Sequence, residues 1–233
     1  MFPLQDANPS RSTPAITWII IAANVFVFLF ETSLPKEEVN SFIMQYGVVP
    51  SRFIHQFSAA EIFTLASSMF LHAGWLHLIS NMWALYIFAD NIEDRLGHAN
   101  FLLFYLVCGI VAGITQILSG VDVTLPTIGA SGAIAGVLGA YLLLFPAARI
   151  ITLVPVGFIP VFIHVPAYFY LGFWFLSQMV TGWSALDHSA LAEQAGGVAW
   201  WAHIGGFVTG AILVKLLERK DYRRFHKDEY WPW

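Results

Sequence analysis

Charge is the scarcest feature of this sequence. Of 233 residues only 11% are Asp, Glu, Lys or Arg, while 58% are hydrophobic; an ordinary soluble domain carries about 25% charged residues. That shortage excludes a solvated globular domain and points to a polytopic membrane protein. With a formal net charge of −4 and no basic stripe, a nucleic-acid surface is excluded as well. Cysteine is equally scarce. Cys108 stands alone in an apolar run, which rules out an intrachain disulfide and any zinc-ligand spacing. There is no H-E-x-x-H metal motif, no aspartate pair within opposed spans, no sustained repeat and no low-complexity tract, so neither a metal nor a cofactor is expected. The apolar run from Ile16 is followed by FETSLPKEE, which lacks a small-x-small cleavage site, and the run reads as an uncleaved anchor.

What is present is a series of apolar segments near the roughly 20 residues that a bilayer span needs. Six are expected, over about Ala15–Leu34, Trp75–Ile92, Phe101–Leu118, Ser131–Ala148, Pro166–Trp183 and Trp200–Leu217. The chain divides accordingly into an N-terminal segment (1–14), a six-helix membrane domain (15–217) and a basic-aromatic tail (218–233). Two stretches fit less simply. Glu37–Gly74 is too polar for a span and too apolar for a solvated loop, and is expected at or in the membrane surface. Ile150–Val165 is apolar but interrupted by Pro155, Pro160 and Pro166; it reads as an interfacial segment or as an extension of the fifth span.

Lys and Arg in short loops set orientation. With both termini in the cytoplasm, Arg11, Arg95, Arg149, Lys215, Arg219, Lys220, Arg223, Arg224 and Lys227, nine of the eleven basic residues, fall on the inner side, leaving only Lys36 and Arg52 outside. Spans two, four and six then run from outside to inside. Ser131 opens span four, His203 lies near the start of span six, and His77 and Asn81 lie in the first half of span two. All four occupy the outer half of the membrane, on three helices.

Polar groups in spans face a bundle interior or a water-filled cavity, and a hydroxyl without a partner in an apolar medium costs about 1–3 kcal/mol. Taken singly, each residue has an ordinary structural reading. Ser131 can bond a preceding carbonyl, His203 can be a satisfied core histidine, and His77 and Asn81, four apart on one helix face, can be interhelical glue as readily as catalytic donors. Their convergence favours nucleophilic catalysis: a serine hydroxyl activated by a histidine base, with His77, Asn81 and the Ser131 backbone N–H as donors to an oxyanion. No carboxylate in these spans is placed as a third member, so a Ser–His dyad is expected. Gly129 permits an unusual backbone angle before span four. Gly132, Gly136 and Gly139 on that span, and Gly205, Gly206, Gly210 and Ala211 on span six, form small-residue faces for close helix approach. The spacing Gly109–Gly113 in span three shows how weak such a motif is alone.

Four motifs together, in order, carry a resemblance: HAGWLHLISN (His72 to Asn81), EDRLG (Glu93 to Gly97), GASGAIAG around Ser131 and AHIGG around His203. The sequence resembles the rhomboid intramembrane serine proteases over about Tyr46 to Gly210. The resemblance implies an all-α, six-helix bundle with a membrane-embedded first loop (Glu37–Gly74). Ser131 would be the nucleophile at the start of a short central helix, His203 the base, and His77 and Asn81 the oxyanion support. His72, Glu93 and Gly97 would have structural roles, together with Gly129, Gly132, Gly136, Gly206 and Gly210. Span five would act as a lateral gate for substrate helices. Two positions depart from patterns seen in some members. A Trp-Arg pair in the first loop is replaced by Phe63 and Thr64, and a tyrosine that stacks on the catalytic histidine is replaced by Ala135. The implied activity is endoproteolysis of single-span proteins in or near their transmembrane segment, with membrane lipid and such substrates as partners, oligomeric state open, and the bacterial inner membrane as the expected location. Competing readings are an inactive helix-binding relative and a proton-coupled transporter, the latter lacking the internal repeats such proteins often show.

Overall fold

The computed structural model describes residues 2–121, 124–187 and 198–219. A strand β1 (Phe2–Asp6) leads to helix α1 (Ala15–Ser33). Three short helices follow, α2 (Lys36–Tyr46), α3 (Pro50–His55) and α4 (Ala59–Ser67), with a 3-10 turn at Ser68–Phe70. Then come α5 (Trp75–Leu96), α6 (His98–Ser119), α7 (Ser131–Leu144), a hairpin of β2 (Arg149–Val156) and β3 (Ile159–Pro166), α8 (Ala167–Asp187) and α9 (Trp200–Leu217). The tail from residue 220 onward lies outside the described residues.

The protein is mostly helical, and apolar helices dominate it. Among the described residues α1, α6 and α9 are each long and apolar enough to cross a membrane, and α4 with its 3-10 turn joins α5 at an 81° bend as a broken fourth candidate. The helix α7 has 14 residues, about 21 Å at 1.5 Å per residue, shorter than the expected span to Ala148. It is the most enclosed element: every residue from Gly132 to Tyr141 is buried. The opposite burial pattern marks α8, where Phe173, Leu176, Met179 and Val180 are exposed while Trp174, Phe175 and Gln178 turn inward.

The all-α expectation needs one correction. Ile150–Val165 is not a helical extension of the fifth span but an antiparallel hairpin, and β1 completes a three-stranded sheet in the order β1-β2-β3. The prolines that suggested breaks sit where a sheet tolerates them. Pro155 faces Pro160 next to the turn, beyond the stretch of β2 (Ile150–Leu153) that pairs with β1. Pro160 and Pro166 lie on β3, an edge strand, where a missing N–H costs no ladder bond on the open side.

The sheet is stitched to α5 and α7. Tyr141 donates its O–H to Asp6 at 2.6 Å, Trp83 donates its indole N–H to the Pro3 carbonyl at 2.7 Å, and the Asn8 and Asn91 side chains bond each other. Ser12 donates to Asp94 at 2.6 Å. Glu93 is the anchor of this region. Its buried carboxylate accepts the Ile16 N–H (2.9 Å), the Thr17 N–H (2.8 Å) and the Thr17 hydroxyl (2.6 Å). The N-cap residue Pro14 offers no side-chain cap, so Glu93 satisfies the orphan Ile16 and Thr17 donors from a neighbouring helix. Gly97 then turns the chain directly from α5 into α6 with φ of +78°, a left-handed angle that favours glycine.

The first loop is a set of short helices packed on α6. The Gly109–Gly113 spacing has its use here: a Cβ on Gly109 would collide with Met69, and one on Gly113 would meet Leu65 at 3.0 Å. Phe63 is exposed and Thr64 buried, its hydroxyl bonded to the Glu61 carbonyl. An ion pair between Arg52 and Glu61 (3.3 Å), with Arg52 also donating to the Gly47 carbonyl (3.2 Å), ties α3 to α4.

Candidate active site

Ser131 is the first residue of α7, and the chain before it is held on two sides. Val48 and Thr127 form an isolated bridge, and the Gly129 N–H donates to the Ser68 carbonyl at 2.8 Å. Gly129 has φ of +122°, and a Cβ there would lie 2.7 Å from the His77 ring and 3.7 Å from Asn81 Nδ2. Only glycine fits, both for the angle and for the space. The absent side chain is what lets α5 press its two polar residues against the entrance of α7.

His203 lies one turn into α9. Its approach to Ser131 follows from the packing of α9 on α7, which is close enough to forbid side chains. A Cβ on Gly206 would overlap the Gly132 carbonyl, one on Gly210 the Gly136 carbonyl, and one on Gly139 the Phe207 carbonyl. The glycine faces interlock backbone to backbone. A further fixing comes from α6, where buried Gln116 accepts the Ala202 N–H at 3.3 Å, one of the orphan donors in the first turn of α9.

These contacts set His203 Nε2 2.8 Å from Ser131 Oγ, with the imidazole buried. On the other side of the ring, His203 Nδ1 is 2.7 Å from Gln178 Oε1 on α8, and the Gln178 amide nitrogen donates to Ser177 Oγ at 3.1 Å. Trp174, one turn before Gln178, lies against the imidazole with centroids 5.7 Å apart and planes at 36°. A carbonyl oxygen facing Nδ1 requires the proton there, which leaves the Nε2 lone pair to accept the Ser131 hydroxyl.

His77 Nδ1 accepts the Ala73 N–H at 3.4 Å, so the Nε2 edge beside Gly129 carries the proton. Asn81 is buried, and its Nδ2 has no hydrogen-bond partner. A buried donor left open is costly and marks a place where a ligand acceptor fits. The backbone N–H of Ser131, in the first turn of α7, is unpaired within its own helix by geometry. His72 stands apart from this group. It is 1% exposed, its ring packs edge-on to Phe28 and His77 with centroids 6.4 and 5.0 Å apart, and its backbone N–H donates to Glu31 at 3.3 Å. Among the described residues no group of three or more His, Cys, Asp or Glu is arranged to hold a metal ion.

The structure therefore brings Ser131, His203, His77 and Asn81 to one place, and puts Glu93 and Gly97 at the far end of α5. Three residues around His203 and the start of α9 were not anticipated: Gln178, Trp174 and Gln116. The available signal was a polar residue inside an apolar span, which does not say which way the side chain points.

The Rhomboid domain family pattern matches residues 59–220. The chain belongs to the rhomboid family. Among rhomboid relatives, the yeast (Saccharomyces cerevisiae) Rhomboid protein 1, mitochondrial, is 27% identical over 93% of this chain and 58% of its own length. Rhomboid-like protein 11, chloroplastic, of Arabidopsis thaliana is 27% identical over 92% of this chain and 69% of its own. Rhomboid protease GluP of Bacillus subtilis is 33% identical over 55% of this chain and 24% of its own length. The chain thus spans less than two thirds of the yeast relative. A rhomboid membrane protein is established by these likenesses. Because the relatives that match along nearly the whole chain carry organellar names, the expected bacterial inner membrane gains no support from them.

Proposed function

We propose that this rhomboid is an intramembrane serine endopeptidase that cleaves membrane proteins in or near a transmembrane segment, with Ser131 as nucleophile and His203 as general base. The observation that carries the reading is the 2.8 Å separation of Ser131 Oγ and His203 Nε2 in a buried setting. Six membrane spans, α1 and α5 to α9, with both termini on the inner side, are part of the same proposal. The basic-residue bias supports the orientation. The short α7 fits a central helix that is sheathed by its neighbours.

In the reaction, the Ser131 hydroxyl gives its proton to His203 Nε2 as Oγ attacks the scissile carbonyl carbon. The C=O pair moves onto oxygen, and the oxyanion accepts hydrogen bonds from Asn81 Nδ2, His77 Nε2 and the Ser131 N–H. Collapse breaks the C–N bond, and His203 returns the proton to the leaving amine. Water then attacks the acyl-serine with the same base and restores Ser131 and a free carboxyl end. A substrate helix hides its carbonyls in hydrogen bonds, so it must unwind locally, and helix-weakening residues ease that.

Purified Ser131→Ala and His203→Ala variants, assayed on a single-span substrate in detergent or liposomes, test the proposal. Both are expected to lose about 10³-fold or more in kcat/KM. Cleavage by Ser131→Ala at the wild-type rate would discard it.

A further inference from the structure

Ala135, four residues after Ser131, is fully buried on α7 and has no ring to lay against His203. Something else must orient the His203 ring, because an imidazole can rotate and can carry its proton on either nitrogen. Two side chains of α8 occupy that role by position. Trp174 and Gln178 are four residues apart and so share one face of the helix. Trp174 lies along the ring of His203, and Gln178 Oε1 faces its Nδ1 at 2.7 Å. Their neighbours Phe173, Leu176, Met179 and Val180 face outward. The pair is therefore the inward stripe of a helix that otherwise presents apolar side chains.

We infer that Gln178 is a positioning residue that fixes the productive tautomer of His203, with Trp174 holding the plane of the ring, so that the base is set from α8 instead of from α7. This rests on the peptidase reading above. The chemistry follows from donor and acceptor counting. Gln178 Oε1 has only lone pairs, so it selects the tautomer with hydrogen on Nδ1. That tautomer alone leaves Nε2 free to accept the Ser131 proton. When His203 becomes imidazolium, the same Nδ1–H bond to a neutral acceptor strengthens, because a charged donor is shared. Gln178 thus does the orienting part of a third triad member's work without carrying charge into the bilayer.

α8 also joins α9 through the Trp201 indole N–H, which donates to the Gly182 carbonyl at 3.2 Å, so the helix that carries Gln178 is tied to the helix that carries His203 at a second point.

Two measurements test the inference. In protein labelled with ¹⁵N-histidine, with His203 assigned by difference from His203→Ala, the wild type is expected to show the proton on Nδ1. Gln178→Leu should show a mixture, and Gln178→Glu, which restores an acceptor oxygen, should return to Nδ1. In steady-state cleavage, Gln178→Leu is expected to lose about 10- to 100-fold in kcat, less than the roughly 10⁴ that a wrong tautomer costs in a full triad, with KM within about twofold, and Gln178→Glu should recover most of it. Identical tautomer populations in wild type and Gln178→Leu, or an unchanged kcat in that variant, would overturn the inference. The tautomer readout needs no turnover. Failure of the peptidase reading, seen as wild-type cleavage by Ser131→Ala, is therefore a separate result from failure of the positioning role.

Discussion

Asn81 shows how a single side chain carries information at this site. It is buried, its amide nitrogen has no partner, and it lies across from a glycine whose missing Cβ opens the space between them. With no partner in the protein, that N–H is free to bond an acceptor that arrives. Asn81→Ala is expected to lower kcat by about 10²-fold with little change in KM, and to leave the folded protein as stable as wild type or slightly more so. A drop in KM-linked binding alone would point to a different role. At this scale the sequence was informative wherever a polar residue stood in an apolar run at a depth shared with others. That logic reached Ser131, His203, His77 and Asn81. It did not reach Gln178, because a lone glutamine in a span reads equally as glue between helices. Only the direction of its side chain, fixed by the packing of α8, distinguishes the two.

Among the elements, the seam between α7 and α9 is the most demanding. Its glycines touch carbonyl groups, which cannot rotate away as a side chain can. Gly206→Ala is expected to push α9 off Gly132 and carry His203 away from Ser131. Overpacking of this kind costs about 1–3 kcal/mol, so the variant should melt several degrees lower and lose at least about tenfold in kcat. Gly172→Ala is the control, since a Cβ there meets nothing within 4 Å; an equal loss in that variant would refute the seam as the cause. The small-residue pattern of both helices was readable from the chain, and α9 begins and ends where hydropathy placed it. The hairpin was not readable in the same way. Ile150, Ile151, Thr152 and Val154 form a β-branched run, the usual composition of a strand. The three prolines masked it, because their harmlessness depends on which strand lies at the edge, and pairing order is a long-range property. The strand Phe2–Asp6 was hidden for the same reason, having no partner until β2 is in place.

For the molecule as a whole, one end is closed by a polar cap in which the first strand, the hairpin and the ends of α5 and α7 meet. Burial pushes the Asp6 carboxyl up to about 7, against the lowering effect of the Tyr141 hydrogen bond, with nearby Asp90 adding to the rise. The folded protein therefore holds a proton on Asp6 between about pH 4 and 7 that the unfolded chain releases. Stability is fully present below the ordinary carboxylate range and declines as pH rises towards 7, on the order of a few kcal/mol. Thermal unfolding of wild type in detergent should show this decline. Asp6→Asn, which still accepts the Tyr141 hydroxyl, should lose Asp6's share of it, and an identical slope in both would contradict the assignment. At the opposite end of α7, the helix's length sets what the proposed peptidase activity would release. Its ~21 Å falls about 9 Å short of a ~30 Å hydrocarbon layer; under the proposed topology, with its foot at the inner boundary, the cut would fall beneath the outer one. A fragment shed outward would then carry a greasy stub of about three residues at ~3.3 Å each, too short to moor it, while its counterpart would stay embedded.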